Sequence, residues 1–576
     1  MDIQRSLLIA ALALVSVMLL TEWVKFRDAH PAVAVVTTTQ APPAIPSTTP
    51  AESVELPASQ TTPGSDLPQL AAAAPAVVAP AAVPSDDRIR VSTDTLIIDI
   101  SLIGGDITSV ALPRHLAKLG NSDIPFQLLE QDAERSYIAQ SGLIGPNGTD
   151  TSAGRPHFQS TVRNATMQPN QDELLVDLSL ETADAVTITK RFRFTRGEYL
   201  VGVEYLVANQ GSQNWQAALF GQLLRDNNPD PGANGGSLGI KPFIGFATHT
   251  TEEPYHKFTF EKIADAPYKG KTTGGWIALV QHYFISAWIP DAGQENSYEM
   301  LKSGTSQNIG RFTTPTLSVA PNSSGQLAAE FYAGPKDQYR LREISPGLDL
   351  TVDYGWLWWI AQPLFALLYF FATGQLHIAG WEMDLGRGIG NWGVAIILLT
   401  VLVKLAFFHL SATSYKSMAK MRKLQPKMLE LKERYGEDRQ KLSQETMDLY
   451  RKEKVNPLGG CLPILIQMPV FLSLYWVLLE SVELRHAPFM AWIHDLSVMD
   501  PYFVLPLLMG ASMYFQQKLN PAPPDPIQAK VFQFMPIIFT VFFLFFPAGL
   551  VLYWLVNNVL SMTQQLIITR QIEKAS

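Results

Sequence analysis

The stretch that decides the fold is Asn391 to Leu410, NWGVAIILLTVLVKLAFFHL. It is apolar for long enough to cross a bilayer. Lys404 sits about two thirds of the way along it, where a cation costs roughly 2.5 to 3.5 kcal/mol on insertion scales. An ionisable side chain inside a span faces a protein interior or a water-filled cavity, so Lys404 implies neighbouring spans that enclose water. A lysine snorkelling from a helix end is the plainer reading. Thr400, one turn earlier on the same helical face, favours a polar wall.

Working outward, the 576 residues are 47% hydrophobic and only 17% charged, too apolar for a single soluble domain and too interrupted to be membrane throughout. The net charge of -8 is unevenly distributed. Residues 411–456 hold twelve Lys/Arg against seven Asp/Glu, whereas no Lys, Arg or His follows His30 before Ser85. The single cysteine, Cys461, excludes an intrachain disulfide and a cysteine metal cluster.

At the N-terminus, residues 1–28 carry an apolar run from Ser6 to Leu20. This is a cleaved signal peptide or a retained transmembrane anchor, and an A-x-A site at Ala32 to Ala34 lies too far beyond the run for ordinary cleavage. The expectation is an anchor. Residues 29–85, rich in Pro, Ala and Thr, have no strand or helix period and are predicted to be a disordered tether. As a flexible coil, about 55 residues reach roughly 40 Å.

From residue 86 to 346 the pattern changes to short alternating runs. Leu96 to Leu102 before Gly104-Gly105, Leu174 to Leu180, Val186 to Phe194 and Leu200 to Val207 read as antiparallel strands of an all-β domain with two packed sheets. Its histidines, His115, His157, His249, His256 and His282, lack metal-ligand spacing, and no nucleophile motif accompanies them. Neither a metal nor a cofactor is implied, and the domain reads as a scaffold or docking module.

Residues 347–390 form a connection. Its run WLWWIAQPLFALLYFF, Trp356 to Phe371, is marginal in length for a span and has tryptophans crowded at one end. Were it to cross, the basic residues of 411–456 would fall on the same side as the β domain, against the positive-inside rule. It is therefore expected to lie in the outer interface.

The Lys404 span then runs inward to a cytoplasmic helical hairpin, 411–456. Met418, Met421, Leu424, Met428, Leu431 and Tyr435 form its apolar seam, and Leu442, Thr446 and Leu449 continue on the return helix. Its basic face suits anionic lipid or a ribosome. Four more spans follow, at 461–480, 502–517, 531–545 and 550–569. The expected fold class is thus an α-helical membrane protein with an N-terminal anchor helix, a five-span core at 391–576 and a large all-β domain outside.

Polar residues are scattered through these spans. Asn557, Ser561 and Gln564 share one face of the last helix, while Gln467, Ser512, Gln516 and Thr540 sit on the others. With Thr400 and Lys404 they could wall one hydrated cavity, although helix-packing hydrogen bonds explain each of them singly.

The runs AKMRKLQPKM (419–428), EKVNPLGGCLPILIQMPVFLSLYWVLLESVELR (453–485), WIHDLS (492–497) and FTVFFLFFPAGLVLYWLVNN (539–558) resemble the YidC/Oxa family of bacterial insertases in its Gram-negative form. The resemblance implies a five-span insertase core, a β-supersandwich periplasmic domain, and insertion of membrane proteins without nucleotide hydrolysis, so not an enzyme. It implies a groove open to cytoplasm and lipid, with a basic residue in the first core span that maps to Lys404. The family pattern usually has arginine there, and lysine is the more readily deprotonated of the two when desolvated. Residues 373–390 are also longer than the family's pattern.

Both lines of reasoning lead to one expected mechanism. An acidic or polar segment of a nascent membrane protein is drawn to Lys404 and its polar partners, while its apolar helix leaves along a hydrophobic slide containing Met468, Phe471, Phe542 and Phe543. Expected partners are nascent chains, the Sec translocon and its accessory subunits, membrane lipids, and the ribosome through the cytoplasmic hairpin and C-terminal tail; DNA is not among them. Expected localisation is the inner membrane, multi-pass, with both termini cytoplasmic and 29–390 mainly periplasmic. Two rivals remain: an ion-coupled transporter using Lys404 with Glu480, and an anchored periplasmic binding or chaperone module.

Overall fold

The computed structural model describes residues 87–576 apart from 121–123, 133, 230–241, 305, 379–380, 437, 454–461, 521–525 and 575–576. The expected anchor, the tether and Cys461 lie outside the described residues.

The β domain is built from two antiparallel-dominated sheets. An 11-stranded sheet runs from Tyr268–Thr273 at one edge to Asn164–Thr166 at the other, and an 8-stranded sheet runs from His256–Phe258 to Glu173–Glu181. The alternating runs explain the second sheet directly. In Val186–Thr195 the residues Val186, Ile188, Lys190, Phe192 and Phe194 are buried in turn, and the strand pairs with Glu173–Glu181 on one side and Leu200–Asn209 on the other. Burying these faces against each other forms one core, with Trp288, Tyr137, Phe192 and Phe312 among its large members.

Lys190 breaks the apolar rhythm of that core. Its ammonium, fully buried, donates to the carbonyls of Gly104 at 3.0 Å, Gly105 at 2.8 Å and Ser141 at 3.2 Å, which ties the two sheets together. Gly104 and Gly105 have φ of 72° and 64°. A side chain at Gly105 would collide with Lys190, so the turn predicted there also makes room for the lysine.

Ten helices are used below. In chain order they are α1 (Phe260–Asp265), α2 (Gln338–Ile344), α3 (Trp358–Thr373), α4 (Trp392–Ala406), α5 (Phe408–Tyr435), α6 (Arg439–Lys452), α7 (Leu462–Glu480), α8 (Val504–Leu519), α9 (Pro526–Phe543) and α10 (Ala548–Lys574). Asn391 caps α4, its side chain accepting from the Val394 amide at 3.0 Å. Phe407 separates α4 from α5, which bend by 67°. By length and composition, Gly355–Thr373 qualifies among the described residues as a membrane span, and α4 with α5 qualifies as a bent pair. Length and composition therefore admit a crossing at α3.

Helices α3, α4, α7, α8, α9 and α10 share an apolar core including Phe365, Leu399, Leu474, Val477, Met509, Phe543 and Val551. The segment 373–390, unassigned from sequence, contains an antiparallel pair, Gln375–Ile378 with Trp381–Asp384.

The β domain is held to the helices at one end of the bundle. Lys336 and Glu480, both nearly fully buried, form an ion pair at 2.8 Å. Arg485 donates to the Leu116 carbonyl at 2.6 Å and lies 5.3 Å from the ring centres of both Phe126 and Phe284. The imidazole of His282 lies 2.9 Å from the Leu479 carbonyl. Burial, and then the nearby Lys336 charge, lower its pKa to about 3, so it is neutral and donates this bond.

Candidate functional site

Lys404 lies on the buried face of α4, 9% exposed, above Thr400 at 1%. Its ammonium donates to Ser561 Oγ of α10 at 2.7 Å and to Gln467 Oε1 of α7 at 3.3 Å. Gln467 donates in turn to Asn557 Oδ1 at 2.6 Å, and Ser561 donates to the Asn557 carbonyl at 2.7 Å. Three helices thus converge on one cation. Tyr415 of α5 lies beside Ser561, and Tyr553 beside Gln467.

Every acceptor of Lys404 in this set is neutral. Among the described residues no carboxylate lies within 4.0 Å of its ammonium, so its charge has hydrogen bonds but no counter-ion. Glu480, the partner a transporter would need, is engaged by Lys336 instead. That pairing removes the residue basis of the transporter reading.

The other polar candidates are distributed differently. Thr400 donates to the Ile396 carbonyl of its own helix at 2.7 Å and stays beside the cation without bonding it. Gln564 reaches back to the Phe408 carbonyl at 3.3 Å, holding α10 against the start of α5. Ser512 belongs to a second contact, accepting from Asn558 Nδ2 at 3.1 Å. Thr540 bonds the Pro536 carbonyl at 2.7 Å and packs on Gly510, where a Cβ would strike its hydroxyl. Gln516 is half-buried on α8 and does not join the Lys404 network.

Of the slide residues, Met468 and Phe542 are 44% and 43% exposed. Phe471 is half-buried, its ring edge-on to Trp554 at 4.6 Å. Phe543, by contrast, is 2% exposed among Trp554, Phe546 and Phe539, so it presents no outward face. A helix that buries one stripe exposes the neighbouring one, and the two phenylalanines fall on either side of that divide.

Sequence reasoning passed over Tyr415, Tyr553, Asn558 and Gln565. Gln565 donates to the Leu519 carbonyl at 3.2 Å and to Asn520 Oδ1 at 3.1 Å. The seven-residue spacing of Asn558 and Gln565 marks a second polar stripe on α10 and was the available signal.

Elsewhere, the β domain has a cavity of about 440 Å³ bordered by Arg193, Glu204, His249, Asp291 and Glu330. Arg193 and Glu204 lie 3.7 Å apart, so its charges are partly paired with each other. Among the described residues no cluster of His, Cys, Asp and Glu could hold a metal ion.

Comparison with known proteins covers nearly the whole chain. A family described as 60Kd inner membrane protein matches residues 384–575, and one described as YidC periplasmic domain matches residues 88–367. The membrane protein insertase YidC of Cellvibrio japonicus is 54% identical over 576 residues, covering 100% of this chain and 99% of its own. That of Alcanivorax borkumensis is 49% identical over 587 residues, covering 100% of both. The Saccharophagus degradans protein of the same description is 54% identical over 500 residues, covering 87% of this chain and 86% of its own.

Proposed function

This chain belongs to the YidC family of membrane protein insertases, and on that premise we propose that Lys404 is the charge by which it receives acidic or polar segments of nascent membrane proteins. The observation that carries this reading is a buried ammonium satisfied by Gln467 and Ser561 but without a carboxylate. A cation in a low-dielectric site attracts an incoming anion far more strongly than one in water. Gln467, Ser561 and Asn557 hold the ammonium in place, and Thr400 and Gln564 form the adjoining wall. Water among these groups keeps Lys404 charged, and the groove opens to the cytoplasm.

The apolar helix of the substrate leaves along the exposed Met468 and Phe542 side, with Phe471 behind. Its release is driven by burial of apolar surface, at roughly 25 cal/mol per Å². The α5 and α6 hairpin, closed by Lys427 with Glu453 at 2.7 Å, receives chains from the ribosome, and the Sec translocon is a partner for larger substrates. Its basic balance supports a cytoplasmic hairpin and C-terminus, with α3 in the outer interface and the β domain in the periplasm.

The test is insertion of a small phage-coat-like protein with an acidic external tail into proteoliposomes holding this protein alone, scored by protease protection of the tail. Lys404→Arg retains insertion, and Lys404→Ala loses it by about tenfold or more, the equivalent of roughly 1.4 kcal/mol. Full insertion by Lys404→Ala rejects the charge role.

A further inference from the structure

The two strands between α3 and α4 form an amphipathic hairpin. Their register pairs Gln375 with Asp384, Leu376 with Met383, His377 with Glu382 and Ile378 with Trp381. Residues opposite each other in an antiparallel ladder project to the same face. One face therefore carries Leu376, Ile378, Trp381 and Met383, and the other carries Gln375, His377, Glu382 and Asp384.

On the polar face His377 is turned towards the protein, while Glu382 is 80% exposed. Gln375 donates to Asp384 at 3.2 Å, and His377 lies 3.7 Å from Glu382. The His377 ring sits 4.4 Å from that of Tyr339 on α2 and 6.2 Å from that of Tyr369 on α3. On the apolar face Leu376 and Ile378 are half-buried, whereas Trp381 at 77% and Met383 at 53% are exposed, and Leu385 at 63% and Ile389 at 48% extend this exposed patch. Four large apolar side chains exposed side by side form a patch of the kind that marks a contact surface. A lone two-stranded hairpin is also marginal in water without a surface for its apolar face.

The position of the hairpin identifies that surface. Backbone bonds from Leu385 to Gly374 at 3.0 Å, Ile389 to Phe371 at 3.0 Å and Gly390 to Ala372 at 2.9 Å fasten it to the end of α3, one residue before the Asn391 cap of α4. It lies at the end of the bundle where the β domain docks, since Asn391 also donates to the Phe489 carbonyl at 2.8 Å in the loop that carries Arg485. On α3 and the turn before it, Trp356, Trp358 and Trp359 are 70%, 56% and 60% exposed. Tryptophan concentrates at the boundary between water and hydrocarbon.

We propose that the strand pair Gln375–Ile378 and Trp381–Asp384 is an interfacial anchor, lying on the outer leaflet with Trp381 and Met383 against the lipid acyl chains and with Glu382 and Asp384 towards water. It would fix the height of the docked end of the bundle relative to the bilayer. The proposal goes beyond the Lys404 reading and stands whether or not that charge attracts substrate.

The single cysteine makes the test direct. In a Cys461→Ser background, spin labels are placed one at a time by Trp381→Cys, Glu382→Cys, Met383→Cys and Asp384→Cys, four positions exposed enough to accept them without refolding the hairpin. The full chain is reconstituted at low density into vesicles of phosphatidylethanolamine and phosphatidylglycerol. Labels at 381 and 383 are expected to collide severalfold more with oxygen than with an aqueous nickel chelate, and labels at 382 and 384 the reverse. The same alternation is expected in Lys404→Ala, which separates this proposal from the charge reading. Equal access of the chelate to all four positions overturns it. So does shielding of 381 and 383 from both colliders, or a label-to-label distance that appears as protein density rises, since a second copy would then cover the face.

Discussion

Two buried lysines meet the same helix and are treated in opposite ways. Lys336 approaches α7 at its outer end and is neutralised by Glu480 at 2.8 Å. Lys404 approaches α7 about 20 Å further down, thirteen residues at 1.5 Å each, and finds Gln467. The first cation is consumed in holding the β domain to the bundle. The second has only neutral acceptors, Gln467 and Ser561. Burial alone does not distinguish the two lysines; the presence of a carboxylate beside Lys336 does.

The largest expected effect separates the two directly. Glu480→Ala leaves Lys336 buried and unpaired, which should cost about 3 to 5 kcal/mol, read as a fall in the thermal unfolding transition of the β domain in the full chain. The double variant Lys336→Met, Glu480→Leu should recover most of that loss. Lys404→Ala should change stability far less, because Gln467 and Ser561 retain Asn557 as a partner. A loss as large as that of Glu480→Ala would make Lys404 another structural clamp, and the contrast would collapse.

Next in size is the support of Lys404. Ser561→Ala removes its 2.7 Å acceptor, a charge-assisted bond worth roughly 1.5 to 3 kcal/mol. Protease protection of an acidic tail should fall partway towards the Lys404→Ala value, while Ser512→Ala, on the separate Asn558 contact, should leave it unchanged. Equal loss in both would mean that bundle packing, and not the ammonium, is being measured.

The smallest effect concerns the docked end and acid. His282 is lowered to about 3 by burial and by the Lys336 charge, and His115 to about 4 by burial and by Arg485. A lowered histidine contributes stability that is present above the unfolded value of 6.5 and lost as pH falls. Glu483, raised to about 8 by burial and by Asp337, opposes this, since its contribution is full below 4.5 and lost as pH rises through 8. His486 is lowered as well, by burial and by Arg485, so three histidines act against one carboxyl and a drop from pH 6.5 to 5 should lower the unfolding temperature. His282→Gln should flatten that slope.

The same contrast shows what could be read in advance. Lys404 was visible because a charge inside an apolar run stands out, and Ser561 and Asn557 because four-residue spacing marks one helical face. The strands at Glu173–Glu181, Val186–Thr195 and Leu200–Asn209 were visible because period two survives in the residues themselves. Lys336 was not legible, since its partner lies 144 residues away and neither position departs from its local pattern. The hairpin at 375–384 escaped for a different reason. Its strands are only four residues each, and Gly374 and Gly386 around it read as loop.

The sequence by itself determined the class of the molecule: an all-β domain followed by apolar helices with a cation among them, because hydrophobic period and charge are local properties of a chain. Tertiary structure alone decided which lysine lost its charge to a carboxylate, that Phe543 turns inward while Phe542 stays out, and that Glu480 serves the β domain. Those outcomes depend on which distant groups share a few ångströms of low-dielectric space, where an ion pair or an unpaired charge differs by several kcal/mol, and no one-dimensional pattern encodes that proximity.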